Sequence, residues 1–185
     1  MLYHISNVHG LKILEPRIST HGQAYVYAVD NLTIGLLFGA KKDDFDFIID
    51  TDESGNPKIY ECYKNAFREI YKGVACSIYE VENLGFIKGI TGWEPEYVNK
   101  AKVRILNEII VNDLYKRLLK ERDNGNLIIH RYEDSMEYKR MISNHIVDRL
   151  IRFNVLDKSK IDDRIMDRYG KIINILQEAL SGRYL

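Results

Sequence analysis

Cysteine is scarce in this sequence, with Cys62 and Cys76 the two examples among 185 residues. They lack C-x-x-C spacing, and no pair of histidines sits at zinc-ligand distance from them, which argues against a zinc site or a redox motif. We therefore expect both side chains to be buried, reduced thiols, as is usual in the cytoplasm. No metal is expected.

Long apolar runs and net charge are missing as well. No apolar stretch approaches the length of a membrane span, and the opening residues MLYHISN lack the basic region and apolar run of a signal peptide. Lys+Arg and Asp+Glu both number 27, so the chain has no overall electrostatic preference for nucleic acid or an anionic membrane. These absences predict a soluble cytoplasmic protein without membrane partners, of undefined oligomeric state.

The common nucleotide and hydrolase motifs are absent too: there is no P-loop, no G-x-G-x-x-G after a strand, no H-E-x-x-H and no G-x-S-x-G. One partial metal motif occurs, because Asp50, Asp52, Ser54, Gly55 and Glu61 occupy positions 1, 3, 5, 6 and 12 of the calcium-loop template. Its flanks are typical of strands, whereas calcium loops of this kind lie between helices. A solvated acidic hairpin tip is the favoured alternative.

Strand-forming residues dominate the first part of the chain, over Leu2–Ser6, Ala24–Val29 and Cys76–Val81, and helical periodicity dominates the last part. Strands first and helices last predict an α+β fold and not a winding of βαβ units. We predict one domain overall. It consists of a β-rich core over residues 1–110 and a helical region over residues 111–185 that packs on the core.

The remaining elements follow from the same patterns. We predict a short extended piece within 10–16, strands over 45–50, 59–63 and 126–132, one or two strands within 97–110, and a glycine-rich loop over 85–93. Helices are predicted over 32–38, 65–71, 111–123, 136–153 and 160–181. The last two helices are joined by a short loop and should form an antiparallel pair.

Three short segments carry the residues that indicate a function. They are Leu2-Tyr3-His4-Ile5-Ser6, then Val26-Tyr27-Ala28-Val29 before a helix, and Glu96-Tyr97-Val98 at the start of a later strand. Their order and settings resemble the His–Tyr–Glu ADP-ribosyltransferase family, which includes diphtheria toxin and the poly(ADP-ribose) polymerases. The resemblance covers roughly residues 2–110 and implies a split β-sheet core, with the last helices as an appendage.

The resemblance also implies a role for each residue. Glu96 would hold the nicotinamide-ribose hydroxyl and face the positive charge that develops as the glycosidic bond of NAD breaks. His4 would bond the adenosine ribose, and Tyr27 would stack on the nicotinamide ring. The backbone of Ile5 and the hydroxyl of Ser6 would complete the NAD site. NAD is therefore the expected substrate, and its ADP-ribose would pass to an unknown acceptor, protein or nucleic acid.

Ile5 is the main departure from the family pattern, which has glycine after the histidine. Its backbone N–H and C=O are still available, but its branched side chain must point away from the nicotinamide. This departure favours an alternative, a non-catalytic interaction module with the same fold. RNA 2′-phosphotransferases share the fold and the opening histidine, and their activity is a further alternative that the zero net charge weakens.

Three aromatic or acidic residues also leave the site open to other assignments. Glu94 is an alternative to Glu96, because the proline between them makes the start of the strand uncertain. Tyr25 faces the same way as Tyr27 by strand alternation and could take its role. Trp93 either lines a pocket beside these carboxylates or covers the edge of the sheet.

Overall fold

The fold is mixed α+β, as the order of strands and helices predicts. A computed structural model describes residues 1–18, 22–42, 45–152 and residue 181. The predicted helix over 160–181, the loop before it and the antiparallel pairing of the last two helices lie outside the described residues. None of the helices within these ranges is both long and apolar enough to cross a membrane.

Twelve strands and four helices make up the described part of the chain. The strands are β1 (Leu2–Ser6), β2 (Ile13–Leu14), β3 (Arg17–Ile18), β4 (Ala24–Val29), β5 (Phe47–Thr51), β6 (Pro57–Glu61), β7 (Cys76–Val81), β8 (Ile87–Lys88), β9 (Glu96–Asn99), β10 (Val103–Arg104), β11 (Asn107–Val111) and β12 (Ile128–His130). The helices are α1 (Leu32–Leu37), α2 (Ala66–Tyr71), α3 (Leu114–Asp123) and α4 (Met136–Arg152). Strands β1, β4 and β7 have the bounds that the sequence predicts.

The main sheet has the strand order β11-β7-β1-β4-β9-β8, with β3 beside β4, and all its pairings are antiparallel. Strand β1 pairs with β7 through five residues. It pairs with β4 at one position, where Tyr3 lies opposite Val29. The sheet therefore opens between β1 and β4 beyond this pair.

A smaller sheet is built from the β5–β6 hairpin and β12, which runs parallel to β6. The carboxylate of Asp52 accepts hydrogen bonds from the backbone N–H groups of Ser54 and Asn56, both at 2.8 Å, and so stabilises its own turn. Glu61 lies at the other end of β6 and accepts a hydrogen bond from the Phe67 N–H. The calcium-loop arrangement is therefore not formed. Among the described residues, no group of three or more His, Cys, Asp or Glu is placed to hold a metal ion.

The helices cover one face of the main sheet. Residues of α1, α3 and α4 pack with Ile78 of β7 and with the smaller sheet in the larger apolar cluster, which also contains Cys62 and Cys76. Both cysteines are free and buried. The opposite face of the sheet packs a smaller cluster that includes Leu2 and Tyr79. Alternation along β1 and β7 thus supplies an apolar layer on both sides.

The predicted helix over 111–123 is wrong at its start, because α3 begins at Leu114. Val111 instead ends β11 opposite Cys76. The carboxylate of Asp113 accepts a hydrogen bond from the Lys116 N–H at 2.9 Å and caps the helix. A cap of this kind satisfies a backbone donor that has no partner inside the helix, and it fixes where the helix begins.

Candidate functional site

The opening between β1 and β4 leads to a cavity of about 430 Å³ on the helical side of the main sheet. Its walls come from β1, β4, the end of α1 and the start of β9. His4, Tyr27 and Glu96 all line it, although the first and the last are 92 positions apart in the chain. The volume lies within the range of small-molecule sites, which are usually about 300–1,000 Å³. All three residues singled out from the sequence therefore border one cavity, although alternation along β1 turns the His4 side chain toward the face that carries Leu2 and Tyr79.

The His4 side chain is fixed by the backbone of β4. Its Nδ1 lies 2.7 Å from the carbonyl oxygen of Tyr27. Because a carbonyl can only accept, Nδ1 carries the proton, and in the neutral ring Nε2 is an acceptor. Burial lowers the pKa of His4, the hydrogen bond to Tyr27 opposes this, and the charge of Arg17 adds a smaller lowering. The imidazole is therefore neutral at physiological pH.

Strand pairing sets the positions of Tyr27 and Glu96. Val29 lies opposite Glu96, and Tyr27 lies opposite Val98. Directly opposed residues point to the same face of a sheet, and residues two apart on one strand share a face. Tyr27 and Glu96 are thus diagonal neighbours on one face, a relation that places Cα atoms roughly 7–8 Å apart. A carboxylate and a phenol ring consequently border the same space.

The structure distinguishes Glu96 from Glu94 as the acidic residue of the cavity, and Tyr27 from Tyr25 as its tyrosine. The Glu94 carboxylate lies 2.6 Å from the Lys88 ammonium, its side chain is 81% exposed, and it is not in the cavity wall. The Tyr25 hydroxyl donates to Gln23 Oε1 at 2.6 Å. The ring of Tyr25 contacts that of Tyr27 edge-on, with centroids 5.9 Å apart. Tyr25 supports Tyr27 and does not itself line the cavity.

Ile5 packs against two glycines of the α1 segment. A Cβ on Gly35 would lie 2.6 Å from Ile5 Cδ1, and a Cβ on Gly39 would lie 3.1 Å from Ile5 Cγ2. Both distances are shorter than ordinary van der Waals contact. Because Gly35 and Gly39 have no side chain, the branched side chain of Ile5 has room beside α1.

The cavity also has an aromatic and basic wall, of which the sequence indicated Trp93 as one alternative and gave no indication of Phe38, Lys41 or Lys42. Phe38, the residue that ends α1, and Trp93 both line it, with ring centroids 5.1 Å apart. The Lys42 ammonium lies 4.2 Å from the centre of the Phe38 ring, and Lys41 also borders the cavity. Trp93 thus lines a pocket. A phenylalanine at the end of a helix and two neighbouring lysines are too common as sequence features to identify such a wall.

A second cavity, of about 530 Å³, adjoins the first across β1 and β4. It shares His4, Ile5 and Tyr27 with the first cavity and adds Ser6 and Arg17. The Ser6 hydroxyl accepts a hydrogen bond from the Val8 N–H at 3.1 Å. The predicted site residues are therefore divided between two adjoining spaces, with Ser6 in the second.

Comparison of the chain with protein-family models, with curated proteins and with solved structures finds no match.

Proposed function

We propose that this chain binds NAD in the opening between β1 and β4 and transfers its ADP-ribose to an acceptor. The observation that carries the proposal is the meeting of His4, Tyr27 and Glu96 on one cavity. The split of the main sheet at this place supports an ADP-ribosyltransferase-like core, since β1 and β4 pair at one position.

Glu96 has the chemical character that the reaction requires. The bond between the ribose carbon and the nicotinamide nitrogen breaks, its electron pair leaves with the nicotinamide, and positive charge develops on the ribose. A fixed carboxylate stabilises such charge, most strongly in a site shielded from water. The nucleophile of the acceptor then bonds to the same carbon and gives up its proton.

The other residues bind and orient the substrate in this proposal. The neutral His4 ring offers Nε2 as an acceptor for a ribose hydroxyl, because its Nδ1 proton is held by the Tyr27 carbonyl. Tyr27, Phe38 and Trp93 provide aromatic surface for a planar ring. Such surface adds binding energy and fixes the ring plane, so that the bond to be broken is held beside Glu96.

Nicotinamide release during incubation with NAD tests the activity, and two neighbouring glutamates give a matched pair of variants. Glu96→Gln keeps the shape of the side chain but removes its charge, so release should fall by at least about 100-fold. Glu94→Gln removes a charge that lies outside the cavity, and release should stay near that of the natural chain. Thermal unfolding of each variant checks that its fold is intact.

Binding measurements separate the alternatives on the same fold. An NAD-dependent rise in the unfolding temperature without nicotinamide release indicates a non-catalytic NAD-binding module, because a ligand of the native state alone stabilises it. If nicotinamide is not released, and the unfolding temperature does not rise with NAD, ADP-ribose or nicotinamide, the proposal is contradicted and an interaction module is favoured. Loss of phosphate from RNA with a 2′-phosphate end, dependent on NAD, indicates the phosphotransferase reaction instead.

A further inference from the structure

Strand β11 is an open edge of the main sheet. It pairs with β7 through all five of its residues, and nothing within the described ranges pairs with its outer side. Two of its side chains are apolar and well exposed, Ile109 at 39% and Ile110 at 57%. Unpaired N–H and C=O groups beside exposed aliphatic side chains form a template for another strand.

Three other edge strands among the described residues carry features that usually prevent such pairing. Strand β8 has two residues, and its Lys88 is held by Glu94 at 2.6 Å. Strand β5 ends in exposed polar residues, with the Asp50 carboxylate 60% exposed and 3.4 Å from the Lys58 ammonium. Strand β12 has three residues. Like β5, strand β11 has five residues and neither lysine nor proline, but it carries two exposed isoleucines.

The single charge of β11 is directed back into its own chain. Glu108 Oε1 accepts hydrogen bonds from Ser77 Oγ at 2.6 Å, from the Gly10 N–H at 2.9 Å and from the Tyr79 hydroxyl at 3.0 Å. These bonds, with that from Ser77 contributing most, lower the pKa of Glu108. The carboxylate is thus stabilised without a partner from another molecule, and it does not prevent a second strand from approaching.

We infer that β11 pairs antiparallel with β11 of a second copy of this chain, about a two-fold axis at Ile109. In this register Ile109 faces its own equivalent, Glu108 faces Ile110 of the second copy, and Asn107 faces Val111 of the second copy. No like charges are opposed, so the strand is complementary to itself, as a two-fold interface requires. A second copy is the occupant that this complementarity favours over an unrelated strand.

The pairing leaves the candidate NAD site free. Strand β7 lies between β11 and β1 in the sheet, and neither β7 nor β11 contributes a residue to the two cavities. The dimer therefore carries two separate clefts, one in each copy. The inference does not depend on the proposed function, because it rests on the edge strand alone.

Light scattering coupled to size exclusion, over a roughly hundredfold range of protein concentration, measures the mass of the full chain. The natural chain should approach twice the monomer mass of 21.7 kDa at high concentration. Ile109→Lys places two like charges face to face at the axis, so the dissociation constant should rise by at least about tenfold. Ile87→Lys is the matched control, because Ile87 is an exposed isoleucine on the opposite edge, at 54%.

A pair of variants at one position tests the register. Ile110→Glu faces Glu108 of the second copy and should weaken the dimer, whereas Ile110→Lys faces the same carboxylate with opposite charge and should retain it. A natural chain that is monomeric at every concentration overturns the inference. So does a dimer that Ile109→Lys leaves intact, or one that the two Ile110 variants affect equally. Unfolding temperatures show that each variant is folded.

Discussion

The carboxylate of Glu61 is the polar centre that joins β6, α2 and the segment after β12. Its side chain is 2% exposed. Oε1 accepts hydrogen bonds from the Phe67 N–H at 2.8 Å and from Arg131 Nη1 at 3.0 Å, and Oε2 accepts from the Tyr132 N–H at 3.0 Å. The change to glutamine removes the charge at nearly constant volume, and therefore tests these bonds without making a cavity.

The expected loss of stability depends on which hydrogen bonds the glutamine amide can keep. Its single oxygen can remain opposite Phe67 and Arg131, and its NH₂ group then meets the Tyr132 N–H, donor against donor. A buried donor left without an acceptor costs about 1–3 kcal/mol, and each retained bond weakens by about 1 kcal/mol when the acceptor loses its charge. The smaller cost of burying a neutral group offsets part of this. We expect Glu61→Gln to lower the free energy of unfolding by about 3 kcal/mol.

Urea unfolding with linear extrapolation gives the free energy for each variant. Arg131→Met should also destabilise the fold, because it leaves the buried Glu61 carboxylate with its two backbone N–H donors but without its cation. Glu53→Gln, an exposed change in the β5–β6 turn, should stay within about 0.5 kcal/mol of the natural chain. A Glu61→Gln protein as stable as the Glu53→Gln protein would refute the role of the buried carboxylate.

Three further predictions concern β1, α1 and the thiols. Gly35→Ala should lower the free energy of unfolding, because a Cβ at position 35 would lie 2.6 Å from Ile5 Cδ1. Ile5→Val removes that Cδ1 atom, so it should destabilise the Gly35→Ala protein by about 1 kcal/mol less than it destabilises the natural chain. Equal losses of stability in urea unfolding would contradict this. The pKa of His4 in the folded state is lower than the ordinary 6.5. As the pH drops below 6.5, the unfolded chain therefore binds a proton at His4 more readily than the folded chain does, and the free energy of unfolding should fall. His4→Asn should make thermal unfolding less dependent on pH in that range, and an unchanged profile would argue against a buried neutral ring. Burial raises the pKa of Cys62, and raises that of Cys76 to about 11, so neither thiol should react with a disulfide reagent until the protein is unfolded; rapid labelling of the native protein would show that the thiols are accessible.

The candidate site was predictable in part because its three central residues each lie within a short local pattern. His4 and Tyr27 fall on strands rich in β-branched and aromatic residues, and Glu96 begins a third strand. The sequence left Glu94 and Glu96 as alternatives, since the proline between them makes the start of that strand uncertain. Only the chain fold shows Glu94 paired with Lys88 outside the cavity and Glu96 in its wall.

The sequence by itself determined the elements that depend on neighbouring residues. The bounds of β1, β4 and β7 follow from local strand preference, and a cap at Asp30 or Asn31 predicts the start of α1; the structure shows Asn31 as the cap, its side chain accepting hydrogen bonds from two backbone N–H groups. The α+β class also follows, because it needs only the order of these elements.

The tertiary structure alone decided which strands become neighbours. The single paired position of β1 and β4, the parallel pairing of β12 with β6, and the position of Phe38 and Trp93 on one cavity join residues far apart in the chain. Pairings of this kind are selected by the burial of side chains from several elements at once, which no local pattern contains. The same reason explains why Val111 extends a strand although it lies beside a helical sequence.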